Sequence, residues 1–328
     1  MYIFYLVLGF ILLSILVSIK KQDNMVILEK ESTIFIRGIA ILFIMLHHLV
    51  QRTIATNNYV LIFNWIGFLM VGIFFLLSGY GNTFSVKKDN SIKFLVKRIL
   101  RLLITLILIY VIYIILLAIF KGKSFSINEI FSGLVTTTWF WYIKIQILAY
   151  ILLFVSYKFF RKNSDIIVFI LTLISVIIMI LMGFESYWWN SILCFPIGCI
   201  LAEKKDKMKD FLKNRNKYII IPLSLIIFLI FFYLGSICEG IKILASISLC
   251  LFVVIVLFYY KFNCKIISFL GNISLEIYLW HLSLIIILFN KGKNIVNLNL
   301  NLIMYFVISL GLAYLTNIIV NIIMKKLN

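Results

Sequence analysis

An arginine, Arg37, and a histidine, His48, interrupt an otherwise apolar run spanning residues 34–50. Ionisable groups inside a membrane span are costly and usually face a cavity or a partner, so this pair is the first functional candidate. Eleven residues at 100° each return to within about 20° of the starting direction and climb about 16 Å, so the two side chains share one face at opposite depths. An unperturbed histidine titrates at about pH 6.5 and can take a proton from a hydroxyl. A guanidinium can hold phosphate oxygens through charge-assisted hydrogen bonds, and Arg98 and Arg101, at the start of a later apolar run, could join Arg37 in doing so. The pattern suits an anionic, phosphate-bearing donor on one side of a membrane, joined to a hydroxyl acceptor on the other.

A second set of candidates lies further along the chain. Ser274, Tyr278 and His281 fall at i, i+4 and i+7 of one helical face, with Glu276 directed elsewhere. Trp139, Trp141, Lys144 and Gln146 cluster near one end of another run, at a depth comparable to His48. Together these runs predict one outward-facing pocket, in which His281, Tyr278 and Lys144 orient an acceptor or stabilise an oxyanion, with Trp141 and Glu276 in the same set. Plainer readings stand beside these. His47 could simply reach the lipid headgroups, Lys144 could snorkel to the surface, and the tryptophans could form an aromatic belt. Arg98 and Arg101 could anchor anionic lipid, and Glu276 could be a structural partner for a residue of the second run.

The elements that must hold these residues follow from composition. The 328 residues are 64% hydrophobic and 13% charged, with a mean hydropathy of +1.13, more apolar surface than a water-soluble core can hide. Long apolar runs without two-residue alternation select helices over a barrel, since only these two satisfy the backbone in hydrocarbon. Runs of sufficient length predict eleven transmembrane helices, near 2–19, 34–50, 61–80, 99–120, 138–158, 166–184, 187–202, 218–236, 241–260, 266–289 and 302–324. The run 187–202 carries Asn190, Pro196 and Gly198, which predict a kink or a partly re-entrant segment. The first run lacks a positive leader and a small-residue cleavage site, and reads as a retained helix.

Loop charge gives an orientation. Most of the 31 Lys and Arg gather in alternate loops, around Lys20–Lys30, Lys87–Arg101, Lys158–Lys162, Lys204–Lys217, Lys261–Lys265 and Lys325–Lys326. The opposite loops hold few, among them Arg52, Lys121, Lys123, Lys242, Lys291 and Lys293. The positive-inside bias then places the N-terminus outside and the C-terminus inside. The net charge of +19 is loop charge, with no soluble basic face to engage nucleic acid. Five cysteines lie in or beside apolar runs without metal-ligand spacing, so neither a disulfide framework nor a metal is expected.

The stretch RGIAILFIMLHHL, Arg37 to Leu49, resembles the signature of the membrane acyltransferase 3 family, with Arg-Gly followed by apolar residues and a histidine after ten intervening positions. His48, not His47, is the matching residue. Further fragments resemble the family in order: FFLLSGY at Phe74–Tyr80, which contains Ser78, FLVKRILRLL at Phe94–Leu103, WFWYIKIQILAY at Trp139–Tyr150, CFPIG at Cys194–Gly198 and LGNISLEIYLWH at Leu270–His281. The proline that commonly follows the basic segment is absent. The resemblance covers roughly residues 32–324, which divides the chain into an extra N-terminal helix with its loop, 1–31, and a ten-helix acyltransferase domain, 32–328.

The resemblance implies an enzyme of a bacterial plasma membrane that moves an acyl group, most often acetyl from acetyl-coenzyme A, to a hydroxyl of an extracytoplasmic glycan or lipid-linked sugar. Arg37 and His48 would be the essential pair, His48 as base or as acyl relay. Arg37, Arg98, Arg101 and Ser78 would serve the donor. Many members carry an extracytoplasmic esterase-like domain; no segment here resembles one, which implies direct transfer or a separate extracytoplasmic transferase. The alternative is a transporter or flippase for a lipid-linked sugar or polysaccharide, whose translocation path the same charges would line.

Overall fold

The computed structural model describes residues 2–22, 25–51, 61–136, 140–289 and 298–327. In chain order its helices are α1 Tyr2–Ser18, α2 Lys30–Leu49, α3 Gly67–Lys88, α4 Ile92–Lys121, α5 Ile127–Thr136, α6 Trp141–Phe159, α7 Ser164–Leu181, α8 Cys194–Glu203, α9 Lys205–Lys213, α10 Lys217–Ile237, α11 Lys242–Tyr259, α12 Lys265–Asn272, α13 Ser274–Leu288 and α14 Leu298–Lys326. Among the described residues eight helices are long and apolar enough to cross a membrane, and α12 with α13 makes a ninth if the bent pair is one span. Two shorter apolar helices, in the positions of α1 and α8, accompany them. The chain is an all-α multi-pass membrane protein. Arg52, Trp139, Lys291 and Lys293 lie outside the described residues.

Helix ends follow local chemistry. The Asn216 side chain accepts the backbone N–H of Tyr218 at 3.0 Å and starts α10, and Gly122, at φ 61°, ends α4 in the left-handed conformation. Along α10 only Gly235 is fully buried; Ile220, Phe228, Phe231 and Phe232 pack half-buried against the core, while most of the other apolar side chains face outward, as lipid contact allows.

Two helix crossings are close enough to require glycine. A β-carbon on Gly38 of α2 would strike the carbonyl of Ile267 in α12, and one on Gly271 of α12 would strike the carbonyl of Ile34 in α2. The same reciprocity joins α3 and α8, where Gly79 meets the carbonyl of Phe195 and Gly198 meets that of Leu76. Small residues let backbones touch where lipid supplies no hydrophobic drive. Of these glycines, Gly38 directly follows Arg37 and Gly79 directly follows Ser78, so both crossings set the height of a candidate side chain.

Three features depart from the sequence reading. The run 266–289 is not one helix, because it breaks at Ile273 and bends by 77° between α12 and α13. The run 187–202 is helical only from Cys194, after a 3-10 turn at Ser186–Trp188. Short strands, unforeseen in an all-α chain, pair antiparallel: β1 Ile19–Lys21 with β2 Tyr260–Phe262, in the register Ile19 to Phe262 and Lys21 to Tyr260. This ribbon ties the end of α1 to the turn before α12. Lys261 adds ion pairs to Glu29 at 2.9 Å and Glu31 at 3.2 Å, and Ser32 Oγ accepts the Phe262 N–H at 3.2 Å.

Candidate functional site: two cavities joined at Tyr278

Arg37 and His48 open into different cavities. The Arg37 cavity has a volume of about 470 Å³, and Arg98 and Arg101 of α4 and Ser78 of α3 line it with Arg37. Arg101 is held by Asn321, whose Oδ1 accepts at 3.0 Å, and lies 3.7 Å from the Glu276 carboxylate, which itself accepts from Asn317 at 2.9 Å. Arg98 donates to Ser85 Oγ at 2.9 Å. Arg37 has neither a carboxylate nor a hydrogen-bond partner among the described residues. Three guanidiniums against one carboxylate leave this cavity with an excess of positive charge, the condition for holding an anion.

Ser78 sits at the centre of a polar web on the cavity wall. It accepts from Gln146 Nε2 at 3.0 Å and from Asn82 Nδ2 at 3.2 Å, and donates to the Tyr150 hydroxyl at 3.3 Å. Tyr142 donates to Gln146 Oε1 at 3.2 Å. These groups are buried in apolar surroundings, where an unmet polar group is costly, and mutual hydrogen bonding holds their rotamers.

The His48 cavity, of about 400 Å³, is lined by His47, His48, Gln51, Trp141, Tyr187 and Tyr278 among others. Its described lining contains no Asp, Glu, Lys or Arg. His48 Nδ1 lies 3.0 Å from Gln51 Oε1. Val50 and Gln51 extend α2 by a wider, π-type turn, a distortion often found at functional sites. Trp141 packs its ring 5.6 Å from that of Tyr187.

Tyr278 lines both cavities and is the wall between them. Its ring lies 4.9 Å from Tyr142 and 5.5 Å from His281. His281 is fully buried, lines neither cavity, and stands 5.1 Å behind the His48 ring.

The structure therefore brings Arg37, Ser78, Arg98 and Arg101 together and puts His48, Trp141 and Tyr278 in a second group. It divides the remainder differently from the sequence reading. Glu276 opens onto the Arg37 cavity, not the His48 one, and shares it with Ser274 and Tyr278. The bend at Ile273 points the first turn of α13 into that cavity, so residues on several sides of the turn reach it. The Glu276 partners are Arg101 of α4 and Asn317 of α14, not a residue of α2. Gln146 belongs to the Arg37 side, and Lys144 lies over the Trp188 ring at 5.7 Å rather than in either lining. Trp139 lies outside the described residues. Gln51, Asn82, Tyr142 and Tyr150 were not singled out, although Asn82 and Tyr150 are a single helical turn from Ser78 and Gln146.

Fold and site define a membrane-embedded helical bundle with two cavities that share Tyr278. The acyltransferase 3 family model, described as an acyltransferase domain, matches residues 32–319, and the chain belongs to that family. No curated protein and no solved structure matches it. The chain is thus a membrane acyltransferase, and nothing in the match supports the alternative of an exporter.

Proposed function

We propose that this protein is an O-acyltransferase that moves acetyl from acetyl-coenzyme A to a hydroxyl of a glycan or lipid-linked sugar on the far side of a bacterial plasma membrane. The carrying observation is that Arg37 and His48, on one face of α2, open into two cavities that share the wall residue Tyr278. Eleven spans with the N-terminus outside, as loop charge favours, put the Arg37 cavity at the cytoplasmic face and the His48 cavity at the outer one.

In this reading the phosphates of the donor lie against Arg37, Arg98 and Arg101, and the thioester arm passes Ser78 and Gln146 toward Tyr278. The arm must bridge about 16 Å, the rise of eleven helical residues. His48 acts as a base: its Nδ1–H donates to Gln51 Oε1, and the lone pair of the neutral ring takes the acceptor proton. Acetyl transfer proceeds directly to an acceptor in the outer cavity, or to a separate extracytoplasmic transferase that completes delivery. Lipids surround the bundle, and no metal takes part.

Labelled acetyl-coenzyme A supplied to membranes with a broad glycan fraction should label that fraction with wild-type protein and leave it unlabelled with His48→Ala. Label independent of His48 would overturn the role of this residue. Absence of label with either protein, together with no heat protection of the purified protein by coenzyme A, would overturn the function itself.

A further inference from the structure

The chain has three histidines, and all three cluster at His48: His47 and His48 line its cavity, and His281 lies behind the His48 ring. The His48 ring lies 4.7 Å from that of His47 and 5.1 Å from that of His281. Each has its Nδ1 at an oxygen: His47 at the Phe63 carbonyl, 2.7 Å, His48 at Gln51 Oε1, 3.0 Å, and His281 at the Ile277 carbonyl, 3.1 Å. A backbone carbonyl can only accept, so His47 and His281 carry their proton on Nδ1 and a lone pair on Nε2.

The two flanking rings differ at the other edge. The Nε2 edge of His47 is packed against Gly67 of α3. His281 Nε2 is buried with no hydrogen-bond partner. Native interiors keep few such orphaned acceptors, and those that persist call for an explanation. A protonated ring beside it, turned by a modest rotation, would supply the missing donor.

We propose that His281 is a positioning residue for His48: its Nε2 lone pair receives the N–H of the imidazolium that His48 becomes during acyl transfer, while Gln51 keeps the His48 Nδ1–H in place. The proposal rests on the acyltransfer reading above and changes the part taken by His281, from holding the acceptor to stabilising the base. As the acceptor oxygen forms its bond to the acyl carbon, its proton passes to His48 Nε2. The C–S bond breaks, and the thiolate leaves with that electron pair. The imidazolium turns its new N–H to His281 Nε2, then releases the proton to water as the thiolate gains one, so that one hydroxyl proton becomes one thiol proton overall. Among the described residues, the other titratable groups around His48 are His47 on its own helix, Tyr278 on α13, Tyr142 of α6 behind Tyr278, and Tyr187 across the cavity. Lys144 of α6, over Trp188, is the charged group described nearby.

The test is the pH profile of kcat for His281→Phe, which keeps an aromatic ring but has no lone pair, and His281→Gln, which restores an acceptor oxygen, each in the full-length protein. His281→Phe is expected to lower kcat 10- to 100-fold, to leave KM for donor and acceptor within twofold, and to move the acid limb toward lower pH. His281→Gln should recover most of the rate and return the limb. An unmoved limb in His281→Phe, or His281→Gln no better than His281→Phe, overturns the proposal. If His281→Phe does not fold, His281→Met takes its place under the same criteria. These outcomes are separable from failure of the acyltransfer reading, which absence of acetyl transfer by the wild-type protein would reveal; full transfer by His48→Ala would leave no base for His281 to serve and also overturns the proposal.

Discussion

Replacing Gly38 with alanine tests whether the α2 and α12 crossing fixes the height of Arg37. The added methyl meets the Ile267 carbonyl, a backbone atom that cannot rotate away, so the helices must separate. Overpacking of this kind costs about 1–3 kcal/mol. Gly271→Ala attacks the same crossing from the other side, against the Ile34 carbonyl, and should cost a similar amount. Once one methyl has parted the helices, much of the space for the other exists. The double variant should therefore fall short of the sum of the singles by about 0.5–3 kcal/mol, the range for residues in contact. Gly198→Ala, at the α3 and α8 crossing, should add to Gly38→Ala without such coupling. Cys194, Cys199 and Cys250 are buried, so thermal unfolding in detergent can be followed by a thiol-reactive dye, with exposed Cys238 giving a constant background. Gly38→Ala within 0.5 kcal/mol of wild type, or full additivity with Gly271→Ala, would refute the reasoning.

Arg37→Lys keeps the charge but loses the planar fork, and should raise KM for the donor at least tenfold; a silent substitution would mean that Arg37 merely anchors α2. Glu276→Gln retains a group able to accept from Asn317 but removes the carboxylate 3.7 Å from Arg101, so the two positions should couple in a double-mutant cycle with Arg101→Met. Because the Arg101 side chain is 38% exposed, that coupling should be on the order of 1 kcal/mol after solvent screening, and zero coupling would remove Glu276 from the donor site. Tyr278→Ala takes out the wall shared by the cavities and should let water reach the thioester. Measured thiol release without acceptor should then rise severalfold, and an unchanged rate would show that Tyr278 does not separate the two spaces.

Much of the helical layout was legible because apolar runs of span length leave few alternatives, and the phase of Arg37 and His48 along α2 was legible because helical geometry is regular. The break at Ile273 was missed although Gly271, Asn272 and Ser274 interrupt the apolar run with turn-forming residues; the close approach of Gly271 to α2 exists only after packing. Beyond that bend Glu276 lines the Arg37 cavity, a placement that a straight-helix reading does not give. Gln51 and His281 show the limit differently. Sequence could place each on a face, but a carbonyl acceptor at one ring nitrogen and an empty environment at the other exist only after packing.

The ribbon between β1 and β2 also sets an order of events during synthesis. Its strands are separated by about 240 residues, and at about 5–20 residues per second the ribosome needs roughly 12–48 s to deliver the second after the first. Throughout that interval the start of α2 lacks both the Phe262 contact to Ser32 and the Lys261 pairs to Glu29 and Glu31. The spanning helices from α2 to α11 can enter the bilayer one after another, but the anchoring of the Arg37 end waits for residues near 262 to emerge. The Arg37 half of the bundle is then a late product of biogenesis, finished when the chain is about four-fifths made.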